Sequence, residues 1–182
     1  MRIALVGTGK ITQQAHLPAC LRRSDVEIAA LVDTSQERAR ALADRHGLSA
    51  DISERINDVL PNVDAAIIAT PNHTHRDLTV ACCQAGVDVL VEKPLATTLE
   101  DCRAICDAAQ TSGATVAVGY CTRFMDTVIL MKRLIDERTF GRPEGFVYQF
   151  GTRGGWAAAS GYTLDRAATG GGVLMVSGTH FL

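Results

Sequence analysis

The stretch Arg2-Ile3-Ala4-Leu5-Val6-Gly7-Thr8-Gly9-Lys10-Ile11-Thr12 decides the fold class. Its first five residues are a short apolar run of strand formers, and a helical pattern follows the two glycines. Gly7 suits a tight turn, and Gly9 leaves bare backbone through which a pyrophosphate can approach the amides of a helix N-terminus. Thr12 stands where the full pattern has a third glycine, and it is a tolerable small substitute. This strand–turn–helix unit predicts the start of a dinucleotide-binding α/β fold.

Strand and helix patterns alternate in the rest of the first 120 residues. Continuous apolar runs predict strands at residues 2–6, 26–32, 63–69, 87–91 and 115–118. Helical patterns lie between and after them, at residues 11–22, 35–46, 53–60, 73–85, 99–112 and 122–138. Ser35 is the expected N-cap and Gly47 the expected stop of the second helix. Strands that are apolar throughout need helices on both faces, so we predict a doubly wound parallel sheet, the Rossmann fold, over residues 1–120.

The regular alternation of strand and helix patterns ends near Gly141-Arg142-Pro143. Residues 145–151 alternate and carry three aromatic side chains, which favours a strand of a different, more open sheet. Residues 173–182 predict the start of a helix in which the sequence stops. We therefore expect residues 121–182 to be the incomplete beginning of a second domain. The chain would then be either a fragment or a naturally short variant that needs a partner surface.

Composition excludes several classes of function. Eighteen basic and 20 acidic residues give a net charge of −2 without basic clusters, so we expect no nucleic-acid partner. No apolar run reaches the roughly 18 residues of a membrane span. The N-terminal apolar run is too short for a signal peptide, which favours a cytoplasmic protein. The six cysteines lack CxxC spacing, so we expect reduced thiols and no metal site.

Asp33 ends the second predicted strand, 24 residues after Gly9. An acidic residue in this region binds the ribose 2′-hydroxyl of a dinucleotide. A carboxylate repels a 2′-phosphate, so Asp33 favours NAD, although Ser35 and Arg38 nearby could still admit NADP. The alternative is that the glycines only form a turn and that Asp33 is a surface residue.

Polar residues also follow the strand that ends at Ala69. Thr70, Asn72 and His75 stand at the carboxyl end of this strand, where open α/β sheets bind ligands, and could contact the ribose or line the nicotinamide pocket. In the alternative interpretation, Asn72 or Thr74 only caps the next helix. His73 and His75 are two residues apart, so their rings would diverge and a metal site is disfavoured.

Glu92-Lys93-Pro94 leaves the fourth predicted strand. Desolvation disfavours the charge of a lysine that emerges from a buried strand, which suits general acid–base work on a hydroxyl or carbonyl. Pro94 would fix the turn, and the Lys93–Pro94 bond is a candidate for the cis form. The alternative is an ordinary surface charge pair.

In this order the motifs resemble those of the Gfo/Idh/MocA oxidoreductases. The segments that carry the resemblance are GTGKI at 7–11, Asp33, ATPNHTH at 69–75, VEKPLATT at 91–98, GYCTRF at 119–124 and GGGVLMVSGTH at 170–180. The resemblance implies a Rossmann domain followed by an open-faced α/β substrate domain, through whose sheet homo-oligomers would form. It also implies hydride transfer between NAD(P) and a hydroxyl or carbonyl of a sugar, polyol or similar small molecule.

The resemblance assigns roles to individual residues. Lys93 would be the acid–base lysine, assisted by His180, and Arg123 would line the substrate cleft. Glu92 and Asn72 would lie near the nicotinamide. The complete expected cofactor site is Gly7, Gly9, Lys10, Ile11, Asp33, Arg38, Thr70, Asn72, His75 and Glu92.

Val176 departs from the family pattern. The late motif of the family usually reads GGGxLxDxGxH, and here the Asp position is Val176 while His180 matches the His. An aliphatic side chain cannot accept a proton or orient His180. Two other functions therefore stay open: a catalytically weakened NAD-binding or regulatory module, and an enzyme that uses bound NAD for net non-redox chemistry such as elimination, epimerisation or glycoside cleavage.

Overall fold

Six parallel strands form one sheet in the computed structural model, which describes residues 1–149 and 161–180. They are β1 (Arg2–Val6), β2 (Glu27–Val32), β3 (Asp51–Ser53), β4 (Ala65–Ile68), β5 (Asp88–Val91) and β6 (Val116–Val118). Their order across the sheet is β3-β2-β1-β4-β5-β6, with the switch point between β1 and β4. This order confirms the doubly wound parallel sheet predicted from the sequence.

Helices pack on both faces of this sheet. Those whose buried residues pack with the strands are α1 (Leu17–Leu21), α2 (Gln36–His46) and α3 (His75–Gln84). Beyond them, α4 (Leu99–Ser112) packs on α3, and the described chain also contains α5 (Asp126–Asp136), α6 (Arg166–Thr169) and α7 (Val173–Val176). As predicted, the Ser35 side chain accepts a hydrogen bond at the start of α2, and Gly47 ends α2 with a φ of +62°. Across residues 1–149 and 161–180, no helix has both the length and the apolar character needed to cross a membrane.

The apolar core has two halves because alternate residues of each strand point to opposite faces of the sheet. Ile3 and Leu5 of β1 pack with buried residues of the first two helices, namely Leu17, Cys20, Ala39, Leu42 and Ala43. Ala4 and Val6 pack on the other face, with buried residues that include Ile56, Val59, Leu60 and Cys82. The strands are therefore held from both sides, which fixes the turns at their carboxyl ends.

The helix predicted at residues 53–60 is wrong. Asp51–Ser53 instead forms the edge strand β3 beside β2, and two 3₁₀ turns follow, Ile56–Asp58 and Leu60–Asn62. A three-residue strand is too short to show a period of its own, and Pro61 favours a short turn over a continued helix. The helix predicted at residues 11–22 also differs, because it begins as a π-helical turn, Thr12–His16, and becomes α-helical only at α1.

The predictions for the last part of the chain are wrong where the structure describes it. Residues 145–149 form no strand, and Phe146 and Val147 are exposed with no strand beside them among the described residues, while residues 150 and 151 lie outside the description. The helix predicted at 173–182 ends as α7 at Val176, ahead of Gly178, a poor helix former. A 3₁₀ turn follows at Gly178–His180, and residues 181 and 182 are not described.

Candidate active site

The turn after β1 accepts only glycine at position 7. Gly7 has a φ of +87°, and a Cβ there would lie 2.5 Å from the carbonyl oxygen of Ala69 at the end of β4. The Thr12 hydroxyl donates to the Gly7 carbonyl at 2.5 Å, which closes the turn. A Cβ on Gly9 would meet no other described atom within 4 Å, so the backbone faces open space where a pyrophosphate would approach. The next two residues are exposed, Lys10 and Ile11.

The carboxylate of Asp33, at the end of β2, collects hydrogen bonds from three residues. Thr8 donates to Oδ2 through its backbone N–H (2.8 Å) and its hydroxyl (2.6 Å), and the Ser35 N–H donates to Oδ1 (2.9 Å). The exposed Arg38 guanidinium donates to both oxygens, at 2.5 and 3.2 Å. Burial by itself would raise the pKa of Asp33, but the hydrogen bonds from Arg38, Thr8 and Ser35 outweigh it and lower the pKa to about 2. A negative charge therefore persists where a ribose would bind.

In the turn between β4 and α3, polar side chains bind the protein itself. The hydroxyls of Thr70 and Thr74 lie 2.6 Å apart. Asn72 is buried, and its Nδ2 donates to the carbonyl of Thr169 at 3.0 Å. Because α3 begins without a side-chain cap, the alternative that Asn72 or Thr74 only caps the helix is wrong. The turn instead binds the segment around α6.

His75 lies fully buried at the start of α3. Its Nδ1 is 2.8 Å from the carbonyl oxygen of Pro94, and its Nε2 is 3.0 Å from that of Thr70. Burial lowers the pKa of His75 although both carbonyls oppose the shift, and a neutral ring donates from only one nitrogen. The ring joins the turn after β4 to the loop after β5, so it would act on a ligand through these loops.

Glu92 and Lys93 leave β5 at the same edge of the sheet, and the Lys93–Pro94 bond is cis, as predicted. Glu92 Oε1 accepts from His16 Nε2 at 2.9 Å, and Oε2 accepts from the Lys93 N–H at 3.2 Å. Burial would raise the pKa of Glu92, but the bond and charge of His16 and the adjacent Lys93 outweigh it, so the pKa lies below its ordinary value. Lys93 Nζ donates to the carbonyl oxygen of Val176 at 2.6 Å. That bond anchors the ammonium to the late segment of the chain.

The segment at residues 166–180 brings His180 to this edge of the sheet. Burial and then the positive charge of Lys93 lower the pKa of His180, while the charge of Glu92 opposes the shift. The ring of Tyr120 meets that of His180 edge to face, with the centroids 6.2 Å apart. Arg123 lies exposed in the 3₁₀ turn Cys121–Phe124. The structure therefore gathers Lys93, Glu92 and His180, and leaves Arg123 on the surface.

Two residues at this edge were not singled out from the sequence, His16 and Tyr162. Tyr162 is half-buried, and burial followed by the charge of Glu92 raises its pKa. A histidine shortly after a phosphate-binding turn gives a weak signal that could have pointed to His16, whereas the irregular sequence around Tyr162 gives none. In the part of the chain that the structure describes, no group of three or more His, Cys, Asp or Glu side chains could hold a metal ion.

The sequence also matches a family described as an oxidoreductase family with an NAD-binding Rossmann fold, Gfo/Idh/MocA, over residues 1–120. The chain belongs to the Gfo/Idh/MocA oxidoreductase family. This membership confirms the family predicted from the motifs, and it confirms the predicted nicotinamide dinucleotide cofactor.

Known proteins resemble this Gfo/Idh/MocA chain along most of its length. The 1,5-anhydro-D-fructose reductase of Ensifer adhaerens is 33% identical over 98% of the chain and 54% of the reductase. Inositol 2-dehydrogenase 1 of Saccharopolyspora erythraea is 35% identical over 79% of the chain and 43% of the dehydrogenase. The WlbA dehydrogenase of Bordetella pertussis, solved with NADH and UDP-GlcNAcA, is 32% identical with a TM-score of 0.72, over 78% of the chain and 43% of that structure. The chain spans about half the length of the curated relatives it matches.

Proposed function

We propose that the protein transfers hydride between NAD(P) and a hydroxyl or carbonyl carbon of a sugar or polyol, with Lys93 as its acid–base residue. The observation that carries the proposal is the position of Lys93, which leaves β5 between Glu92 and the segment that bears His180. The carboxyl edge of a doubly wound sheet is where such folds bind ligands. The reductase and dehydrogenase relatives, named for an anhydro sugar and an inositol, support this substrate class.

The residues at the edge of the sheet fit a nicotinamide dinucleotide. The open backbone at Gly9 suits the pyrophosphate, and the ionised Asp33 carboxylate suits the ribose 2′-hydroxyl. Because a buried carboxylate repels a 2′-phosphate, we propose NAD as the preferred cofactor, with Arg38 as the only exposed guanidinium bonded to Asp33 among the described residues. When bound, the nicotinamide supplies the hydride chemistry.

Lys93 and His180 would handle the proton. In its neutral amine form, Lys93 Nζ would take the proton from a substrate hydroxyl during oxidation, and in its ammonium form it would give a proton to the carbonyl oxygen during reduction. His180 has a lowered pKa, which keeps its ring neutral at neutral pH and able to accept a proton from Lys93. Arg123 would contact substrate from the surface. Residues 121–182 would begin the substrate domain, and a cytoplasmic location and homo-oligomer formation stay predictions.

Replacement of Lys93 tests this assignment directly. Lys93→Met keeps the length of the side chain and removes the proton-carrying nitrogen, so we expect turnover to fall about 10²–10⁴-fold while NADH binding persists. NADH binding is measured by fluorescence titration, and turnover by absorbance with a panel of hexoses, anhydro sugars and inositols. Lys132→Met is the matched control, because Lys132 is an exposed lysine of α5 paired only with Asp136 in the described structure. Full turnover in Lys93→Met would refute the assignment.

Val176 favours a second candidate, a dinucleotide-binding module with weakened catalysis. The Val176 side chain offers no acceptor, and the main-chain carbonyl alone binds Lys93 at this residue. A carbonyl oxygen holds an ammonium but takes no proton from it. Tight NADH binding by the wild-type protein without turnover on any member of the panel would favour this second candidate over the first.

A further inference from the structure

His16 and Glu92 form a hydrogen-bonded pair, sheltered from solvent, at the carboxyl edge of the sheet. His16 Nε2 lies 2.9 Å from Glu92 Oε1, and the two side chains are only 14% and 17% exposed. The pair joins the helical turn after the glycines to the loop after β5, and its two residues are 76 positions apart in the sequence. A hydrogen bond to a carboxylate is stronger when it is sheltered than when it lies in open solvent, so this contact fixes both side chains.

The backbone around His16 and the backbone beside Glu92 both favour this contact. His16 is the last residue of the π-helical turn Thr12–His16. A π-helix is wound more widely than an α-helix, so the His16 ring points in a different direction from the one that an α-helix would give it. The Thr12 hydroxyl anchors this turn to Gly7. On the other side, a Cβ on Gly119 would lie 3.3 Å from the carboxyl carbon of Glu92. The Glu92 carboxylate therefore occupies space that the missing side chain at Gly119 leaves.

We propose that His16 is a positioning residue, which holds the Glu92 carboxylate and thereby aligns the Lys93 loop with a dinucleotide bound at the glycine turn. The two oxygens of Glu92 divide this work. Oε1 accepts from His16, and Oε2 accepts from the backbone N–H of Lys93, so a movement of the His16 ring is transmitted to the start of the loop. The inference rests on the proposed function, because it takes the glycine turn and Lys93 as parts of one site.

The charge distribution agrees with this role. Burial pushes the pKa of Glu92 upward, and the bond from His16 is the largest influence that lowers it. Without His16 the carboxylate would stay buried with less compensation, so its pKa would move upward. Among the described residues, the titratable groups that interact electrostatically with Glu92 include His16, His75, Lys93, Tyr162 and His180.

Two replacements of His16 separate positioning from mere packing. His16→Leu keeps a side chain of similar volume and removes the N–H that donates to Glu92, and we expect it to weaken NADH binding about tenfold. It should also raise the pKa of Glu92, followed by the pH dependence of the ¹³C side-chain carboxyl resonance. His16→Gln retains an N–H donor of similar reach, so NADH binding should return to within about twofold of the wild type.

A double-mutant cycle and a control complete the experiment. In the Glu92→Gln background, His16→Leu should change NADH binding much less than it does in the wild type, because its partner is already neutral. His46→Leu, at the exposed end of α2, should change neither binding nor the Glu92 resonance. If the wild type binds NADH and a folded His16→Leu binds it equally well, with an unchanged Glu92 resonance, the inference is overturned and the proposed function stands. If the wild type fails to bind NADH, both are overturned.

Discussion

Alanine at position 7 should destabilise the Rossmann sheet, whereas alanine at position 9 should spare the fold and weaken dinucleotide binding. Gly7 has a φ of +87°, and a side chain forced into such a conformation costs about 1–3 kcal/mol. The new Cβ would also lie 2.5 Å from the oxygen and 2.8 Å from the carbon of the Ala69 carbonyl. These are backbone atoms, so the ends of β1 and β4 would have to separate, which adds about 1–3 kcal/mol. We expect Gly7→Ala to lower the free energy of unfolding by about 3 kcal/mol and the melting temperature by about 6–12 °C.

Thermal unfolding followed by circular dichroism, together with fluorescence titration with NADH, distinguishes the two substitutions. Gly9→Ala meets no other described atom within 4 Å, so its free energy of unfolding should stay within about 0.5 kcal/mol of the wild type. Its methyl group would fill the space through which a pyrophosphate must approach the backbone, so NADH binding should weaken about tenfold or more. Equal stability of Gly7→Ala and wild type, or a less stable Gly9→Ala, would refute the reasoning from Cβ contacts.

Changes at Asp33 and Val176 test the two ends of the site. Asp33 has a pKa of about 2, below the ordinary value of an unfolded chain, so its ionised form stabilises the fold above about pH 4 and this stabilisation is lost as the pH falls towards 2. Asp33→Asn should therefore lower the free energy of unfolding by about 2 kcal/mol at neutral pH. Between about pH 5 and 2, urea denaturation should show that the free energy of unfolding falls less steeply in Asp33→Asn than in the wild type. An equally steep fall in both proteins would contradict this account. Val176→Asp puts a carboxylate near the Lys93 ammonium, so kcat should rise about tenfold or more while KM changes little. The negative charge should also raise the pKa of His180. A pH–rate profile identical to that of the wild type would exclude a role for this position.

Most helix ends could be predicted because single residues mark them. Gly47 and Gly113 both end helices in left-handed conformations, with φ of +62° and +77°, where glycine is the least strained residue. β3 could not be predicted, because its three residues take their extended form from pairing with Ala30–Val32 in β2. The π-helical turn Thr12–His16 could not be predicted either, because no residue pattern in that stretch distinguishes it from an α-helix.

The motifs predicted several of the polar residues that gather at the carboxyl edge of the sheet, but not the backbone groups that these residues bind. Asn72 donates to the carbonyl of Thr169, a residue 97 positions away in the sequence. His75 bonds to the carbonyls of Thr70 and Pro94. Carbonyl groups are present at every residue, so a sequence carries no sign of which one a side chain will bind. The strand-end positions in the sequence therefore placed Asn72 and His75 at this edge without indicating their contacts.

The contact between Lys93 and Val176 separates two roles that a carboxylate at position 176 would combine. A carboxylate near an ammonium holds it in place and can also share its proton, whereas the main-chain carbonyl of Val176 only holds it, at 2.6 Å. The position of Lys93 therefore does not depend on the side chain at residue 176, because the carbonyl remains whichever residue stands there. In the proposed mechanism, proton transfer would depend on that side chain, because burial and then the charge of Lys93 lower the pKa of His180 and make its ring a weaker proton acceptor. The departure at Val176 should consequently appear in kcat and its pH dependence rather than in NADH binding or in the stability of the fold.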